Sequence, residues 1–147
     1  SLTARLIGLM RKPTSTSKRM AHGTVPPKEP IFLPGAETEY IQMGWGTLTW
    51  YASNQLGNSD TLTVGKCLIF PSQANALHFH PNCDEILTVL QGHIKHTWKD
   101  GTEVEMREGD TITIPSGVLH QARNIGAEDA ILIIVFSSAD RRTIGKG

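Results

Sequence analysis

His78-Phe79-His80-Pro81-Asn82-Cys83-Asp84-Glu85 decides the reading of this chain: two histidines at alternate positions, a turn, then an acid. Side chains at i and i+2 of a strand share one face, so His78 and His80 can point at a single ion. The turn through Pro81 to Asp84 lets Glu85 open the next strand towards the same point. Downstream, His120 follows Pro115-Ser116-Gly117 at the end of another short apolar run. Taken singly, each histidine reads as a surface or core residue. Together with Glu85 and the flanking Gly and Pro, His78, His80 and His120 read as metal ligands. Three imidazoles and one carboxylate form a mixed N/O set suited to one divalent transition metal: Fe, Mn, Ni, Co or Zn. Four ligands on an octahedral ion leave open positions for a substrate or water.

Outward from these motifs the pattern is β. Short apolar or alternating runs recur at 47–52, 61–70, 76–80, 85–90, 93–98, 103–106, 111–114 and 130–136. Gly57-Asn58, Asp100-Gly101 and Gly109-Asp110 punctuate them with residues suited to tight turns. No segment carries convincing helical periodicity, and no internal repeat is visible. Many short strands at this spacing predict a sandwich or barrel.

The two motifs resemble those of the cupins. His78, His80, Glu85 and Gly92 match the spacing of the first cupin motif, with Ser72 where that motif opens on Gly. Gly109, Pro115, Gly117, His120 and Asn124 match every fixed position of the second. The resemblance covers roughly 45–136 and implies an all-β, jelly-roll β-barrel of six to eight strands, often dimeric through exchanged terminal strands. It also implies a metal cage whose reaction is open: dioxygenases, decarboxylases, isomerases, epimerases and lyases share it, as do proteins without a known reaction.

The expected organisation is an N-terminal arm over 1–39, the barrel over 40–140, and a C-terminal tail over 141–147. The arm holds Arg5, Arg11, Lys12, Lys18, Arg19 and Lys28 against Glu29 alone up to residue 30. It reads as an interface or mobile segment, or else as a transit peptide, since those are Arg- and Ser-rich and poor in acids. Across 147 residues, 14 Lys and Arg balance 14 Asp and Glu. That balance leaves no footprint for nucleic acid or an anionic membrane. The longest apolar run, 130–136, is far short of the ~20 residues that span a bilayer. Two cysteines, Cys67 and Cys83, make no disulfide framework, which leans towards a reducing, cytoplasmic setting.

Beyond the ligands, alternation from Gly92 puts Ile94, His96 and Trp98 on the barrel interior. His96 is the candidate catalytic residue, as an acid–base or supporting group near a substrate; a hydrogen-bonded core histidine is the alternative. Gln91 shares the face of Glu85 and is expected near the site, whereas Cys83 is expected to point away from it. Trp45, Trp50 and Tyr51 are expected in the core or an interface, and Arg123 in solvent. The expected function is a metalloenzyme acting on a small oxygenated molecule by redox-neutral chemistry, as a homodimer. An iron dioxygenase and a non-catalytic binding module are the alternatives.

Overall fold

Period-two runs build strands throughout residues 28–145, the part of the chain described by this computed structural model. In order they are β1 (Glu39–Gln42), β2 (Gly46–Ala52), β3 (Thr63–Ile69), β4 (His78–Phe79), β5 (Glu85–Gln91), β6 (His93–Trp98), β7 (Thr102–Arg107), β8 (Thr111–Ile114), β9 (His120–Asn124), β10 (Ala130–Phe136) and β11 (Ile144–Gly145). A single 3-10 turn, Gly35–Glu37, precedes them. Among the described residues no helix is long and apolar enough to cross a membrane.

The strands form two antiparallel sheets, ordered β1-β2-β3-β10-β5-β8 and β11-β4-β9-β6-β7. Successive strands pass repeatedly from one sheet to the other, which is the jelly-roll arrangement. In β3 and β10 every second residue is buried, as a sheet with one face on the core requires. Ile69, Val89 and Leu132 of the first sheet and Ile94 of the second are fully inaccessible and belong to one core. The expected all-β jelly roll is therefore what this chain forms.

Eight of the strands lie within a few residues of the expected runs. β1, β9 and β11 lie outside them. The sequence of β9, His-Gln-Ala-Arg-Asn, is too polar to announce itself, yet it pairs with β6 along its length. β11 pairs with β4 through Ile144 to Phe79 and Gly145 to His78. Residues assigned to a tail are thus stitched onto the strand that carries His78. Of the expected arm, 1–27 lie outside the described residues, as do the transit-peptide reading and residues 146–147.

Two turns bear on the motifs. At Phe70-Pro71-Ser72-Gln73 the amide of Gln73 donates to the Phe70 carbonyl at 3.1 Å. Ser72 sits at φ 66°, left-handed backbone that glycine adopts freely and a serine adopts at a cost of about 1–2 kcal/mol. The turn that the resemblance places on glycine is therefore kept, with strain, on serine. At Gly92, φ is 99°, and a Cβ would lie 3.0 Å from Cα of Ala130, so the hairpin from β5 to β6 needs glycine twice over.

Candidate metal centre

β4 carries His78 and delivers His80 just beyond its end, β5 opens on Glu85, and β9 opens on His120. His78 and His120 are direct partners across β4 and β9. The loops between them are tied together. Gly117 N–H donates to the His80 carbonyl at 2.8 Å, Ser116 Oγ–H to the Pro81 carbonyl at 2.9 Å, and Ser116 N–H to Asp84 Oδ1 at 2.9 Å. These bonds hold the Pro-x-Gly turn against the His-x-His turn, so one ligand-bearing loop fixes the other.

The result is a cluster in which one ligand atom from each of His78, His80, Glu85 and His120 lies within 4.8 Å of the others. His80 Nε2 is 3.2 Å and His120 Nε2 is 3.4 Å from Glu85 Oε1. Two donors each ~2.1 Å from one ion and at right angles to each other are about 3 Å apart, so the spacing suits a shared cation. All but His78 are buried.

Hydrogen bonds on the far side of each ring set its orientation. Carbonyls only accept, so Nδ1–H of His78 donates to Ala76 O at 2.6 Å and Nδ1–H of His80 donates to Arg142 O at 2.8 Å. Each Nε2 then keeps its lone pair for the centre of the cluster. His120 Nδ1 lies 3.2 Å from Nε2 of His96, whose ring stacks on it at 5.2 Å. His80 Nε2, Glu85 Oε1 and His120 Nε2 are buried atoms with no hydrogen-bond partner. Buried polar atoms rarely go unpaired, and a cation satisfies all three at once.

Burial also enforces the neutral imidazole that a metal needs. It pushes the His78 pKa down, that of His96 down to about 4, and that of His120 down to about 2, the last helped by the neighbouring His78, His96 and His80.

Other expected residues fall differently. His96 is fully buried on β6 and meets His120, and its Nδ1 has no partner. Gln91 is not at the cluster: it donates to the Asp129 carbonyl at 3.0 Å, because a register shift displaces the end of β5 against β10. Cys83 belongs to the core at 3% exposure. Cys67 is buried too, its thiol pushed up to about 12 chiefly by burial. Trp50 fills the core against Phe136. Arg123 lies on the outer face of β9, donating to the Ser72 carbonyl at 3.3 Å.

One group near the cluster escaped the sequence reading. The guanidinium of Arg141 lies 4.3 Å from the Trp50 ring centre and 5.2 Å from that of Phe136. Phe136 in turn packs edge-on against His80 at 4.8 Å. No local pattern marks Arg141, because only the fold of 137–145 carries it there.

The family described as "Cupin domain" matches residues 65–136. Oxalate oxidase 1 of Hordeum vulgare is 28% identical over 96 residues, which is 60% of this chain and 46% of the relative. This chain spans about half the length, or less, of the germin-like and oxalate oxidase relatives it matches. Among solved structures, Lactobacillus farciminis oxalate decarboxylase superposes with a TM-score of 0.72 at 22% identity, over 86% of this chain and 40% of that one. A Bacillus subtilis oxalate decarboxylase, described with Mn(II) centres, superposes at 0.67 and 21% identity, over 82% of this chain and 35% of that one. At such identities the structural likeness speaks for the fold alone.

Proposed function

The chain carries a cupin domain over residues 65–136, and from that premise we propose that it is a metal-dependent enzyme for a small oxygenated organic substrate. His78, His80, Glu85 and His120 hold the ion, and the chemistry is redox-neutral: isomerisation, decarboxylation or lyase cleavage. The observation that carries this reading is the convergence of four donors, three of them with buried atoms that lack any other partner. A bound divalent ion supplies Lewis acidity at a substrate carbonyl or carboxylate. The chain supplies the rest. Ala76 O and Arg142 O hold the His78 and His80 rings in register. The apolar core formed by Leu87, Ile114, Leu132 and Phe136 keeps water away and strengthens charge interactions.

His96 acts through His120 as a positioning residue. With the Nε2 lone pair of His120 committed to the ion, its Nδ1–H donates to Nε2 of His96. A homodimer belongs to the same reading. It is supported by the outer face of the first sheet, where Ile86 and Leu90 are exposed beside Val64, Leu68, Ile131, Ile133 and Val135.

The test is the metal content of the protein purified without added metal, beside the double variant His78→Ala, His120→Ala. About one equivalent of manganese, cobalt, nickel or zinc, lost in the variant, is the expected result. Iron, together with substrate-dependent oxygen uptake, would replace redox-neutral chemistry with an oxygenase. Equal and negligible metal in both proteins after reconstitution would overturn the site itself.

A further inference from the structure

Along β6 and β7 the inner face of the five-stranded sheet passes from sealed to open. Direct cross-strand partners share one face, with Cβ atoms roughly 5 Å apart. Ile94 and Met106 form one such row, and both are buried. In the next row His96 is fully inaccessible while Val104 is 39% exposed. In the last row Trp98 is half-buried and Thr102 is exposed. Solvent therefore reaches this face at the end where β6 finishes and β9 begins.

That open row is also the row of the ligands. Trp98 pairs with His120, and His120 pairs with His78, so the three side chains stand side by side on neighbouring strands. His78 is the one ligand of the four that is not buried. The way to the ion thus runs along a row that holds two imidazoles and one indole.

Trp98 has the position of a core residue without the packing of one. Trp50 is held between Phe136 and Arg141, and Trp45 packs on the core, whereas Trp98 belongs to neither arrangement. Among the described residues no ring stacks on its indole and none accepts its N–H. Small-molecule sites are lined by half-open aromatic side chains of this sort, with a few polar or metal groups to fix orientation. A flat π face prefers another flat ring, offset or edge-on. Val104, the diagonal neighbour of Trp98 on that face, offers no hydrogen bond, so a polyhydroxylated ring would gain little there.

From this row we infer that Trp98 is the specificity-determining residue of the centre, lying against a molecule bound to the ion, and that this molecule carries a planar, conjugated ring beside its metal-binding oxygens. The inference rests on the metal reading above and narrows its substrate class. The two fail separately in one experiment. The protein is loaded with Co(II), its metal content is measured, and hydroxamates are titrated while the visible absorption of the ion is followed. Acetohydroxamate, benzohydroxamate and cyclohexanecarbohydroxamate present the same pair of oxygens, and differ in carrying a methyl group, a flat ring or a puckered one. Wild type is expected to prefer benzohydroxamate to each of the others by about 10-fold. Trp98→Leu is expected to keep its Co(II) and its acetohydroxamate affinity while losing that preference. Trp98→Phe, which restores a flat face, is expected to recover most of it. A metal-loaded wild type that binds the three alike, or binds none, would overturn the inference. So would an undiminished preference in metal-loaded Trp98→Leu. Loss of Co(II) in both variants would make Trp98 a packing residue of the His120 strand and overturn it as well. A wild-type protein that takes up no Co(II) would remove the metal reading, and this inference with it.

Discussion

At the scale of single residues, the same burial that readies the imidazoles for a metal makes the metal-free protein sensitive to acid. His96 and His120 stay neutral in the fold down to about 4 and about 2, whereas an unfolded histidine takes up its proton near 6.5. Between those values the unfolded chain binds more protons than the folded one, so stability is full above pH ~6.5 and falls as the pH drops below it. The slope is about 1.4 kcal/mol per pH unit for each such histidine. Urea midpoints of metal-free protein should therefore decline steadily from pH 7 to pH 5. A flat profile would mean that these side chains are solvated. The grouping of His78, His80, Glu85 and His120 was legible because alternation and loop spacing bring them together with no reference to the rest of the chain. The place of Arg141 was not legible, because its stacking on Trp50 brings together two distant parts of the chain.

At the scale of elements, a glycine sets the place of an indole that carries a guanidinium. Trp50 on β2 pairs directly with Gly65 on β3. A Cβ at Gly65 would come within 2.4 Å of Cε3 and 2.6 Å of Cζ3 of the indole. The indole supports the guanidinium of Arg141, so Gly65→Ala should push the ring aside and release that support. The expected loss is about 1–3 kcal/mol of stability, with a shift in tryptophan fluorescence. Unchanged melting and emission would show that Trp50 has room to move. The long strands were readable because Val, Ile, Leu and Thr alternate in them over six or seven residues. β1, β9 and β11 were hard to read for the opposite reason. They are short or polar, and cross-strand partners define them rather than their own composition.

At the scale of the molecule, the two sheets present different outer surfaces. The five-stranded sheet shows polar side chains, with an ion pair from Lys95 to Glu103 at 3.4 Å and a hydrogen bond between His93 and Glu105 at 3.1 Å. The six-stranded sheet shows Ile86 at 45% and Leu90 at 51% exposure, an apolar face of the kind that marks an interface. If a second copy covers it, Ile86→Lys with Leu90→Lys should halve the mass seen by light scattering and leave the melting of the metal-loaded barrel nearly unchanged. Retention of the dimer would place the interface elsewhere, and a monomeric wild type would discard it. The jelly roll itself was readable from strand spacing and the paired motifs, whereas nothing local specifies which sheet faces a partner.

The bond from His80 to the Arg142 carbonyl joins residues 62 positions apart, and this gives the centre an order of assembly. Synthesis proceeds from the N-terminus at about 5–20 residues per second. Side chains 78, 80, 85 and 120 therefore leave the ribosome before the carbonyl that orients one of them. A nascent barrel can gather its donors early, yet it acquires its final grip on a cation only after Arg142 has emerged. The orientation of the His80 ring is thus completed only after every one of the four side chains has been made.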